Sequence, residues 1–122
     1  MHTFRIVIAA AALLAGTAMA QDIGRIQDRD RGIIDRAQND LRASAEFERH
    51  KGKQVDRYEN AQRQLSDFDR ELTKGHFDKG RLDHAIDSMK DVVEHNTLDP
   101  TNRDALRSDL ADLRIMREDH RK

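Results

Sequence analysis

The spacing of apolar residues along the chain predicts an all-helical protein. In three segments, residues 53–74, 79–95 and 100–118, apolar side chains recur every three or four positions, which places them along one face of an α-helix. No alternation of apolar and polar residues persists long enough to predict a strand. The apolar positions are, in chain order, Val55, Tyr58, Ala61, Leu65, Phe68, Leu72, Leu82, Ala85, Ile86, Met89, Val92, Val93, Leu106, Leu110, Leu113 and Met116.

Residues that favour helix ends stand at the borders of these segments. Gly75 is typical of a left-handed C-cap, and Asn96 is expected to end the second helix. Asp78 and Asp99 are expected N-caps, and Pro100 suits a first helical position, where its missing N–H costs nothing. Since short connections favour antiparallel neighbours, we predict that the three helices form a small antiparallel bundle around one core.

A further helix is predicted over residues 23–51, with a weaker pattern. Asp30 interrupts its apolar face, and Phe47 lies off that face, so we expect Phe47 to be exposed for a partner. The helix packs on the three-helix core as a fourth helix, projects from it, or runs on into the next helix as one long helix. A bend near Gly52 is predicted, because the junction 48–54 is polar throughout. The apolar face consists of Ile26, Ile33, Ile34, Ala37, Leu41 and Ala45.

The first twenty residues have the pattern of a secretory signal peptide. A short head carrying Arg5 precedes the uncharged apolar run 6–15, and small residues stand at Ala18 and Ala20. The run is too short for a permanent membrane-spanning helix, so we expect no stable membrane anchor. Cleavage after Ala20 would send the protein to the periplasm or to the exterior.

The predicted organisation therefore has three parts. Residues 1–20 are a cleaved signal peptide, residues 21–52 are an N-terminal helix, and residues 53–122 are a three-helix bundle. The last residues, from His120 to Lys122, are expected to be a loose tail.

Composition narrows the classes of function. The 22 Lys and Arg residues nearly balance the 23 Asp and Glu residues, and the two signs are interleaved along the chain. A nucleic-acid-binding protein needs a clustered basic face, so we expect no nucleic-acid partner. The chain has no cysteine, which excludes disulfides, thiolate zinc sites and thiol catalysis.

Four polar residues in the second core helix form one candidate metal site. They step by three or four positions along one face, roughly opposite the apolar stripe of that helix, and imidazole with carboxylate can bind Zn²⁺ or Cu²⁺. His76 and Asp78 lie just before them. The alternative is an ordinary solvated helix face with no cofactor. The four candidate ligands are His84, Asp87, Asp91 and His95.

No catalytic motif is present in the sequence. The serines at 44, 66, 88 and 108 lie within predicted helices, without the sharp turn that exposes a nucleophile. We therefore expect a non-enzymatic, exported interaction protein that binds a protein partner or itself, with a chaperone-like or envelope-stress role as the narrower expectation. The alternative is a periplasmic metal-binding or metal-sensing protein that uses the His84 face.

Overall fold

The protein is all-helical throughout the residues that the structure describes. The structure, a computed structural model, describes residues 14–46 and 52–120 and, in the first range, side chains from residue 24 onward. Residues 1–13 of the predicted signal peptide lie outside these ranges, as do Phe47, Lys51, Arg121 and Lys122. The helices are α1 (Leu14–Glu46), α2 (Lys53–Thr73), α3 (Lys79–His95) and α4 (Pro100–Asp119).

The helix ends confirm the predicted caps. Gly75 has a φ of 85° and follows α2, and its N–H donates to the carbonyl oxygen of Leu72 at 2.9 Å. The Asp78 carboxylate accepts the N–H of Arg81 at 3.1 Å and so caps α3. Asp99 caps α4 in the same way, with Pro100 in the first turn. Because each of these signals acts within a few residues, the bounds of α2, α3 and α4 were predictable.

Four helices, not three, contribute to the core. Among the described residues each helix packs against the next one in the chain, and α1 also packs against α4. The predicted core residues of α2, α3 and α4 are buried, except for Val55, which is only partly buried in the first turn of α2. The fully enclosed apolar residues of α1 are Ile34, Ala37 and Leu41.

The first helix differs from its prediction at its start. Within the described residues it already includes Leu14, before the predicted start at Ile23, because residues 14–20 are rich in alanine and other helix formers. Of the predicted placements, its described part adopts the packed one. Asp30, predicted only as an interruption of the apolar face, is fully buried. The chain leaves the helical path before α2, where Gly52 has a φ of 86°.

Candidate functional site

The predicted metal ligands of α3 are all solvent-exposed. Within the group, His95 Nδ1 lies 4.0 Å from Asp91 Oδ1. In the part of the chain that the structure describes, no three of the four bring their ligand atoms within 4.8 Å of one another. Metal binding by His84, Asp87, Asp91 and His95 therefore stays a prediction.

An apolar pocket lies where the early part of α1 meets the end of α2, the α2–α3 connection and the end of α4. Its volume is about 210 Å³, and Ile26, Leu72 and Phe77 form its apolar walls. The Phe77 ring packs edge-to-face on Phe68 of the core, with the centroids 5.3 Å apart. Ile26 is a large apolar side chain that is 43% exposed. The pocket therefore extends from Phe77, which packs on the core, to Ile26 at the surface.

One wall of the pocket is polar and built from residues far apart in the chain. His120 stacks on the Phe77 ring with a centroid distance of 3.7 Å, and its Nε2 lies 2.9 Å from Asp30 Oδ2. Arg29 donates to the other oxygen of Asp30 at 3.2 Å. A buried carboxylate is tolerated only when it is paired and hydrogen-bonded, so these two contacts explain how Asp30 can be buried. The expectation that His120 belongs to a loose tail is wrong.

This wall holds an oriented imidazole beside apolar side chains. Both contacts of His120 orient its imidazole, and neither the Asp30 carboxylate nor the Phe77 ring is a nucleophile of the kind a hydrolytic triad requires. His120 also lies at the C-cap of α4, where the helix dipole favours a cationic side chain. The pocket can therefore present one hydrogen-bonding side and several apolar sides to a ligand.

A hydrogen bond fixes α1 against the end of α2 beside this pocket. Gln27 Nε2 donates to the carbonyl oxygen of Leu72 at 2.6 Å. The last carbonyl groups of a helix have no partner within the helix, so this bond satisfies one of them. The position of Ile26, one residue away, is thereby held relative to Leu72 and Gly75.

A wider cavity of about 560 Å³ lies between α1 and α2. Its lining includes Arg42, Ala45, Val55 and Tyr58. Its lining also includes Glu46, the last described residue before the gap at 47–51, so the smaller pocket is the better-defined candidate site.

A second buried carboxyl group lies between α1 and α4, away from the pocket. Asp109 is 1% exposed. Burial raises the pKa of Asp109 to about 8, and so does the Asp40 carboxyl, with which Asp109 shares a hydrogen bond. Asp112 adds to this effect and Arg36 opposes it. At neutral pH the Asp109 carboxyl therefore keeps its proton.

Sequence reasoning missed both buried acids as functional candidates. Asp30 stands on the apolar face of α1, and Asp109 stands between Leu106 and Leu110 on the apolar face of α4. An acidic residue on the apolar face of a helix is the signal in the sequence for such a group, because a buried charge requires a partner. The sequence does not tell which residue is that partner, since His120 is ninety positions from Asp30.

Comparisons with protein-family models, with curated proteins and with solved structures found no match. Within the two described ranges, no helix combines the length and the apolar character needed to cross a membrane.

Proposed function

We propose that this chain is an exported, non-enzymatic binding protein whose pocket receives an apolar side chain of a protein partner. The observation that carries the proposal is the apolar pocket formed by Ile26, Leu72 and Phe77, with Ile26 exposed at its edge. A chaperone-like or envelope-stress role is the narrower form of the proposal.

The size and walls of the pocket favour a side chain over a free small molecule. Pockets for drug-sized ligands usually have volumes of about 300–1,000 Å³, and this one has about 210 Å³. A leucine or phenylalanine side chain would bury its apolar atoms against Leu72 and Phe77. The Asp30–His120 pair could then bind a polar backbone group beside that side chain. Balanced, interleaved charge supports a protein partner rather than a nucleic acid.

We propose that the protein is exported, and the pattern of residues 1–20 supports this proposal. Helix α1 passes through the proposed cleavage point after Ala20. Cleavage there would leave Asp30, Ile34, Ala37 and Leu41 in the chain, so the core contribution of α1 would be retained.

We further propose that the four helices form an up-and-down antiparallel bundle. Support comes from contacts that join the early part of one helix to the late part of the next. Gln27 of α1 contacts Leu72 at the end of α2, and Asp83 in α3 pairs with Arg117 near the end of α4. Asn60 of α2 is bonded to Ser88 of α3 at 3.0 Å.

Metal binding on the exposed face of α3 is the second candidate function. The observation in its favour is the approach of His95 to Asp91, one turn apart on that face. An exposed site of this kind lacks surrounding groups to orient the imidazoles, so its affinity should be modest. Titration with Zn²⁺ of the wild type and of a His84→Ala/His95→Ala variant tests it.

Site-specific crosslinking tests the binding proposal. A photoreactive amino acid at Ile26 should crosslink a protein partner in cells that export the chain. The same group at Ile115, which is 58% exposed but lies outside the pocket, is the matched control. Phe77→Ala should weaken the Ile26 crosslink. Equal crosslinks from both positions would contradict the proposal, and crosslinks only between two copies of the chain would indicate self-association instead.

A further inference from the structure

We propose that the α2–α3 connection binds a divalent transition-metal ion, with Zn²⁺ as the test case, through Glu71, His76 and Asp78. The ligand atoms of these three side chains all lie within 4.8 Å of one another. This site is separate from the side-chain pocket and from the His84 face of α3.

The backbone of the connection holds two of the three ligands in place. After α2 ends, the N–H of His76 donates to the carbonyl oxygen of Glu71 at 2.9 Å, and the N–H of Gly75 donates to that of Leu72. This pair of bonds is the Schellman motif, which requires the left-handed conformation that Gly75 adopts. The motif brings His76 back toward Glu71, five positions earlier.

The third ligand is held by the start of the next helix. Asp78 caps α3, so its carboxylate is fixed relative to the first turn of that helix. The three ligands therefore come from an eight-residue stretch whose two ends are both anchored in helices. A site of this kind needs little rearrangement to bind an ion.

The distances suit a small cation. His76 Nδ1 lies 3.3 Å from Glu71 Oε1. Ligands about 2.0–2.1 Å from a tetrahedral Zn²⁺ are themselves about 3.3 Å apart, so this pair already has the required separation. One imidazole nitrogen and two carboxylate oxygens form a donor set that Zn²⁺ accepts, with water in the fourth position.

Two cationic side chains compete with the ion and make a sharper test possible. Lys74 Nζ lies 3.3 Å from Glu71 Oε2, which leaves Oε1 to face His76. Arg81 Nε lies 3.2 Å from Asp78 Oδ2. Removing the Lys74 charge should strengthen metal binding.

Calorimetric titration of the purified, tag-free protein with Zn²⁺ near pH 7 tests the site. We expect one ion per chain in the wild type and binding at least about tenfold weaker in His76→Ala. His76 is largely exposed, so this substitution should leave the fold intact. Glu71→Gln should weaken binding as well, whereas Lys74→Met should strengthen it several-fold. Binding should fail near pH 5, because protonated histidine is not a ligand.

The His84→Ala/His95→Ala variant is the matched control, since it removes two exposed histidines of the neighbouring face. It should retain the ion at the α2–α3 connection with the affinity that the wild type shows there. Binding that is lost in this variant and retained in His76→Ala would overturn the inference and assign the ion to the face of α3. No binding by the wild type at micromolar Zn²⁺ would also overturn it. Neither result bears on the pocket, which the crosslinking experiment tests separately.

Discussion

The two short connections of the bundle close their helix ends in different ways. Between α3 and α4, side chains satisfy the backbone. Asn96 is buried, and its Nδ2 donates to the carbonyl oxygen of Gln54 at 3.0 Å. Its Oδ1 accepts a hydrogen bond from Arg57 at 3.0 Å, and the N–H of Thr97 donates to Gln54 Oε1 at 2.7 Å. The polar side chains of this connection are therefore engaged in its own structure.

Between α2 and α3, main-chain bonds close most of the helix end, and the Gln27 side chain adds a bond to the Leu72 carbonyl oxygen. The bonds from the Gly75 and His76 N–H groups satisfy the last carbonyl groups of α2. Side chains in this connection then have other contacts: Phe77 forms a wall of the pocket, and His76 faces Glu71. The difference teaches that a helix end closed mainly by main-chain bonds leaves nearby side chains, here His76 and Phe77, available for ligands, while Asp78 also caps α3. For this reason we place both proposed sites here.

The largest expected effect on stability comes from comparing Phe68, in the core, with Phe77, in the α2–α3 connection. Phe68→Ala should lower the free energy of unfolding by about 3–5 kcal/mol, because Phe68 is fully buried. Phe77→Ala should cost only about 1–2 kcal/mol, since Phe77 is partly buried. Urea denaturation measures both, with exposed Ile115→Ala as the control. Equal losses for the two phenylalanines would show that the connection is part of the core.

The pH dependence of stability should arise at Asp109, which lies away from both connections. The pKa of this group is raised from its ordinary value near 4 to about 8 in the folded protein, chiefly by burial and by Asp40. Between these two pH values the folded chain holds a proton that the unfolded chain has lost. The contribution of Asp109 to stability therefore falls as the pH rises from about 4 to about 8 and is constant above that.

Asp109→Asn tests whether stability falls as the pH rises, because the amide has the shape of the carboxyl group and does not titrate. Relative to the wild type, the variant should gain roughly 1 kcal/mol of stability per pH unit between about pH 5 and pH 8. Thermal unfolding at a series of pH values measures the difference. Asp104→Asn, at an exposed position of the same helix, controls for the loss of a carboxylate. A difference that does not change with pH would rule out a raised pKa of Asp109 in the folded protein.

The smallest expected effect on stability tests the connection between α3 and α4. Asn96→Ala should lower stability by about 1–2 kcal/mol, because it removes a buried side chain that bonds to the Gln54 carbonyl oxygen and to Arg57. Hydrogen exchange should increase at Thr97 and in the first turn of α2. Crosslinking from Ile26 should be unaffected. A loss of that crosslink would mean that the two connections are coupled and that the comparison between them fails.

Much of the fold was predictable because its signals are local. The caps at Gly75, Asp78 and Asp99 act within a few residues, and the apolar stripes of α2, α3 and α4 repeat without interruption. The bounds of α2, α3 and α4 follow from these signals. The sequence-based start of α1 was wrong, because the alanine-rich stretch before Ile23 also favours a helix.

The candidate site was less predictable, since it depends on contacts between distant residues. Phe77 lies between two helices, so no helical spacing of apolar residues predicts its position, and His120 comes after the last helix. Their stacking on one another and the pairing of His120 with Asp30 follow only from the packing of α1, α4 and the α2–α3 connection. The spacing rule that led to His84 and His95 identifies residues on one face, but it does not measure whether their ligand atoms converge.

The most direct test of the account is to ask which connection binds an apolar side chain. N-acetyl-leucinamide, titrated into isotope-labelled protein and followed by NMR, should shift the backbone amides of Ile26, Gly75 and Phe77. It should leave Asn96 and Thr97 unchanged, and N-acetyl-serinamide should shift neither group. Shifts spread evenly over both connections, or confined to the one between α3 and α4, would contradict the claim that the α2–α3 connection is the binding end of this protein.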